Sequence, residues 1–119
     1  MFTETTLDHF QRPRNVGELP PPAVTVEVTN PACGDILRLA VAMVNGRVTE
    51  TRYKIRGCTA SIAAGSALTE LMDQRTVAEL AAIDANAIEA ALGGLPPASS
   101  HAAHLCADAV KSLVKRIRG

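Results

Sequence analysis

Asn45-Gly46 separates two runs of alternating residues, and this arrangement limits the chain more than any other feature of it. Both residues tolerate positive φ, as a two-residue hairpin turn requires. The flanking runs, Ile36 to Val44 and Val48 to Arg56, are therefore expected to pair as antiparallel strands. In the return strand Thr49, Thr51, Tyr53 and Ile55 share one face, while Glu50, Arg52, Lys54 and Arg56 share the other. One face of the sheet is therefore wet. An earlier alternation of Val24, Val26 and Val28 with Thr25, Glu27 and Thr29 predicts a further strand, ended by Asn30-Pro31.

After Gly57-Cys58 the period becomes helical. A helix is expected through Asp73, with Thr59 or Ser61 as its cap and Ile62, Leu68, Leu71 and Met72 as apolar contacts. Thr76 to Ala81 and Asp84 to Leu92 read as two short helices, the second opened by an aspartate cap and closed by Gly93-Gly94. Leu95-Pro96-Pro97 reads as a loop. Ser100 then caps a last helix to about Arg118, whose basic end suits the negative pole of the helix dipole. Upstream, Thr3 to Gln11 predicts a short helix with Leu7 and Phe10 on one side, closed by Pro13 and followed by an extended connector through Pro20-Pro21-Pro22. Strands first and helices after predict an α+β domain with an antiparallel sheet, and nothing marks a boundary between residues 1 and 119.

Composition narrows the function. Twelve basic and twelve acidic residues cancel and aromatics are 3%, so the chain has neither the field nor the stacking platforms that nucleic acid calls for. No apolar run approaches the roughly 20 residues that span a bilayer, and the amino terminus lacks a basic stretch followed by an apolar one. A cytoplasmic protein is expected. Three cysteines cannot all pair within one chain, and a reducing compartment leaves thiols free for metal or redox chemistry.

Cys33 falls in Ala32-Cys33-Gly34-Asp35, between the first two strands, where glycine lets the backbone approach an ion and Asp35 offers a hard oxygen two residues on. Cys58 falls where the third strand gives way to a helix, and a helix amino terminus favours the thiolate that binds metal or accepts sulfur. His101 opens another helix, so its imidazole can reach out of the first turn. Three loops thus each bring a ligand type. By spacing alone the same residues also fit plainer roles: small core cysteines, a turn aspartate and a structural or merely exposed histidine.

Taken together these motifs make the chain resemble the U-type iron-sulfur scaffold family, the IscU and NifU amino-terminal domain group. The resemblance runs through Asp8-His9-Phe10, Pro13-Arg14-Asn15-Val16-Gly17, Asn30-Pro31-Ala32-Cys33-Gly34-Asp35 and Gly57-Cys58 with the small-residue helix Thr59 to Glu70. It continues in Leu95-Pro96-Pro97, His101 and Asp108-Ala109-Val110-Lys111. It implies a three-stranded antiparallel sheet with helices packed on one face. It also implies a scaffold rather than an enzyme: a [2Fe-2S] cluster, or Zn2+ or Fe2+ in its place, held by Cys33, Asp35, Cys58 and His101. Such a cluster is built with sulfur from a cysteine desulfurase and passed to apo iron-sulfur proteins, and a homo-oligomer sharing one cluster stays open.

Two positions depart from the family pattern. Ala102 stands where a third cysteine usually follows the histidine, and Ser99 stands where a lysine often precedes it. The missing cysteine is the one usually assigned to receive persulfide sulfur. Two other readings therefore remain beside the scaffold: a zinc-dependent SufU-like sulfur acceptor and a degenerate paralogue that only binds partners. Cys106 is not expected to replace the missing cysteine. It lies four residues from Ala102, roughly 6 Å along the helix axis, on the stripe Ala102, Cys106, Ala109, Leu113, Ile117, with His104 as a less favoured substitute.

Overall fold

A computed structural model describes residues 1–31 and 34–119. Helix α1 (Glu4–Gln11) leads into three strands, β1 (Val24–Thr29), β2 (Ile36–Val44) and β3 (Arg47–Arg56). Helices α2 (Thr59–Met72), α3 (Val77–Ala81) and α4 (Ala85–Ala91) follow, then a 3-10 turn over Pro97–Ser99 and the long α5 (His101–Arg118). The strands form one antiparallel sheet in the order β1-β2-β3. Val24 pairs with Val41 and Thr29 with Ile36 on one side of β2, and Ile36 pairs with Arg56 on the other. At the hairpin Asn45 and Gly46 have φ of 54° and 78°, the left-handed pair that their side chains permit.

One face of the sheet is covered by helices, with α2 against β3 and α5 against β1 and β2. The core joins Val26, Leu37, Leu39, Val41 and Tyr53 of the sheet to Leu68, Met72, Val110 and Leu113 of the helices. Tyr53 sinks fully into α2 and donates its hydroxyl to the Ile62 carbonyl at 2.9 Å. The other face carries ion pairs from Glu18 to Arg38 at 2.7 Å and to Lys54 at 3.4 Å, the wet side foreseen from the alternation. No described helix is long and apolar enough to cross a membrane.

Four expectations change in detail. In α2 the cap position is taken by Cys58, which makes no side-chain cap bond, rather than by Thr59 or Ser61, and Ser61 is buried one turn in. The apolar side of α2 is built mainly from small residues such as Ala60, Ala63, Ala64 and Ala67, with Ile62 and Leu71 only half-buried. Ser100 has helical backbone angles and caps nothing, because the 3-10 turn before it already continues the helical path. In α1 the packed face is Thr6 and His9, whereas Leu7 and Phe10 remain exposed. Thr6 and the cap residue Thr3 both donate to the Leu92 carbonyl, so hydroxyls rather than apolar side chains fasten α1 at that end.

Candidate metal centre

The site forms at the end of the sheet where three chain reversals meet. Between β1 and β2 the amide of Asn30 donates to the Asp35 carbonyl at 2.8 Å, and that of Gly34, at φ 76°, donates to the Asn30 carbonyl at 2.7 Å. This turn delivers Asp35 to the start of β2. The strand β3 ends at Arg56, and the chain passes through Gly57 into α2 with Cys58 extended at its cap position. The third approach is the 3-10 turn, whose Pro96 and Pro97 carbonyls accept from the amides of Ser99 and Ser100 and so aim the first turn of α5. Ala102 and Ala103 lie wholly in the core there, which leaves His101 facing outward.

Asp35, Cys58 and His101 converge. The Cys58 thiol lies 3.6 Å from Nε2 of His101 and 3.9 Å from Oδ2 of Asp35, and Nε2 lies 3.9 Å from the same oxygen. A tetrahedral zinc ion with ordinary bond lengths separates sulfur, nitrogen and oxygen donors by about 3.4–3.6 Å. The three donors therefore need to close by no more than about 0.5 Å to share one ion, and their mixed chemistry suits zinc or iron. Among the described residues this is the one place where three such donors gather within 4.8 Å. Asp35 is buried at the back, while Cys58 and half-buried His101 form the open rim. Cys33, singled out as a fourth ligand, lies outside the described residues.

Two residues that sequence reasoning did not assign to the site shape it. Oδ2 of Asp35 accepts a hydrogen bond from the fully buried Ser61 hydroxyl at 2.5 Å. Gly57 leaves the space that the carboxylate occupies, since a Cβ there would come within 2.7 Å of Cγ and Oδ2 of Asp35. One signal for Ser61 was present: Cys58 and Ser61 are three residues apart at a helix start, the spacing that sets side chains together. The position beside His101 adds no sulfur, because it is an alanine, Ala102, and its side chain is buried. Cys106 is fully buried and desolvation pushes its thiol up to about 12, in keeping with a core role. His104 is exposed and outside the cluster.

Comparison with known proteins places the chain among relatives of like fold. The chain is 35% identical to "Iron-sulfur cluster assembly scaffold protein IscU 1" of Archaeoglobus fulgidus, over 96% of its own length and 74% of the relative's. It is 36% identical to "Iron-sulfur cluster assembly scaffold protein IscU" of Azotobacter vinelandii, covering 96% of this chain and 91% of that one. Among solved structures, a NifU-like protein (N-terminal) from Brucella abortus superposes with a TM-score of 0.77 at 20% identity, covering 98% and 93% of the two chains. A structure described as a scaffold protein for the SUF system from Fervidobacterium islandicum superposes with a TM-score of 0.78 at 15% identity, covering 95% and 96%. These two show the shared fold: a three-stranded antiparallel sheet with helices on one face. The model of the NifU-like N terminal domain family matches residues 1–119, and the chain belongs to that family.

Proposed function

We propose that residues 1–119 act as one iron-sulfur cluster assembly scaffold domain, which holds iron, zinc or a [2Fe-2S] cluster as cargo through Cys33, Asp35, Cys58 and His101. The observation that carries this reading is the convergence of the Asp35, Cys58 and His101 donors within 4.8 Å at an open rim. The relatives' names support it. Thiolate sulfur binds soft or borderline ions firmly, whereas a carboxylate oxygen is harder and matches iron less well, so Asp35 is the ligand that eases release. Cys58 gives up its proton on binding and His101 presents Nε2, with both at the rim where cargo enters and leaves. The role is one of holding and passing on, not turnover. Sulfur would come from a cysteine desulfurase and the finished cluster would go to apo iron-sulfur proteins, in the cytoplasm.

The test is metal loading without oxygen, followed by a metal count and a visible absorption spectrum. Cys58→Ala and Cys33→Ala are each expected to lose metal affinity and stoichiometry, and Asp35→Ala to slow transfer to an apo-acceptor. If both cysteine variants keep wild-type stoichiometry and affinity, the site does not hold the cargo.

A further inference from the structure

We propose that Ser61 is a positioning residue for this site: with Gly57 it forms a socket that holds the Asp35 carboxylate in one orientation, Oδ2 toward Cys58 and His101. This rests on the scaffold reading and concerns how the site is kept ready. Three observations meet in the socket. Ser61 is fully buried, and its hydroxyl donates to Oδ2 at 2.5 Å, the short distance of a charge-assisted bond. Gly57 supplies the floor, where a Cβ would strike Cγ and Oδ2 at 2.7 Å and the Ser61 Cβ at 3.1 Å. Its φ lies outside the left-handed range, so the backbone turn does not require glycine there and the space for Asp35 does. Finally, Oδ2 is the oxygen that lies 3.9 Å from both the thiol and the imidazole.

A hydroxyl has one proton. Given to Asp35, it leaves the Ser61 oxygen only as an acceptor for the Cys58 thiol 3.3 Å away. Ser61 therefore touches both ligands and orders them relative to each other. A carboxylate oxygen has two lone pairs, and with one fixed by Ser61 the other is left for an incoming ion. Without the hydroxyl the carboxylate keeps its place in the sequence but loses the bond that sets its rotation.

Ser61→Ala is the first variant, with Co2+ as the probe. The wild-type chain is expected to bind Co2+ with thiolate-to-metal absorption, and Ser61→Ala to bind it 10- to 100-fold more weakly, the usual cost of losing a partner behind a ligand. The thiolate band should persist, whereas the d–d bands should shift because Asp35 no longer sits in one orientation. In an Asp35→Ala background Ser61→Ala should cost much less than in the wild type, with only its contact with the Cys58 thiol left to lose, since its influence runs mainly through Asp35. Gly57→Ala should reproduce the Ser61→Ala spectrum by filling the socket from the other side. In the metal-free chain, NMR couplings should report one Asp35 χ1 rotamer in the wild type and averaging in Ser61→Ala, with thermal unfolding confirming that each variant folds. Unchanged Co2+ affinity and bands in Ser61→Ala, an equal loss in the Asp35→Ala background, or an averaged Asp35 rotamer in the wild type overturns this proposal alone. A wild-type chain that binds no Co2+ overturns the scaffold reading and this proposal with it.

Discussion

Gly65 occupies the middle of α2, where helix propensity alone favours alanine by about 1 kcal/mol. A Cβ at that position would lie 2.5 Å from Cε2 and 2.7 Å from Cδ2 of Tyr53, a ring that is fully buried and tethered to the Ile62 carbonyl. The overlap outweighs the propensity, so Gly65→Ala is expected to destabilise the fold by about 1–3 kcal/mol in urea denaturation. A second residue links stability to pH. Nδ1 of His9 sits 2.7 Å from the Ser66 hydroxyl, which also accepts the Arg14 amide at 2.9 Å, so the one proton of Ser66 is free to point at the imidazole. Burial, then the Arg14 charge, lower the His9 pKa, while Glu70 and Asp8 pull it upward. The unfolded chain therefore takes up a proton near pH 6.5 before the folded chain does, and stability falls as pH drops through that value until folded His9 is also protonated. Urea midpoints of the metal-free chain should decline below neutrality, and His9→Gln should flatten part of that slope; an unchanged slope would remove His9 as the cause.

At the scale of elements, the free edge of β3 is covered by two distant pieces of backbone. The amide of Tyr53 donates to the Asn15 carbonyl and the amide of Gly17 to the Tyr53 carbonyl, each at 2.9 Å. Further along, the amide of Val48 donates to the Arg75 carbonyl and that of Gln74 to the Val48 carbonyl, also at 2.9 Å. The connector after α1 and the turn after α2 thus satisfy an edge that would otherwise invite pairing with another chain. Gly17 makes its contact at φ 144°, a conformation that disfavours side chains. Gly17→Ala should cost about 1–3 kcal/mol through backbone strain. Hydrogen exchange should then speed up at the Tyr53 amide while the Val48 amide keeps its protection, and equal loss at both would show general unfolding instead. The β1 and β2 bounds follow directly from the alternation of valines and the Asn45-Gly46 turn, because both signals are local. The packed face of α1 does not, because its contacts with Leu92 and Ser66 join residues far apart in the chain.

For the whole molecule, the proposed cargo would couple to the fold, since an ion shared by Asp35, Cys58 and His101 at the starts of β2, α2 and α5 would bind the folded chain and not the separated segments. Zinc at 100 times its dissociation constant should stabilise the chain by about 2.7 kcal/mol. Thermal unfolding should show the shift, a chelator should reverse it, and Cys58→Ala should abolish it. The sequence by itself determined the order of strands and helices and the wet and dry faces of the sheet, and of its four candidate donors, Cys33, Asp35, Cys58 and His101, the last three are described and stand at element ends. Those features rest on period, turn chemistry and residue type, which act over a few neighbours. It determined the family as well, through motifs spread along the chain. Only the tertiary structure decided that these three donors come within 4.8 Å of one another and that Gly57 and Ser61 enclose the Asp35 carboxylate. Distances between residues 26 and 43 positions apart depend on how α2 and α5 pack against the sheet. That packing belongs to the whole core, and no local pattern in the chain encodes it.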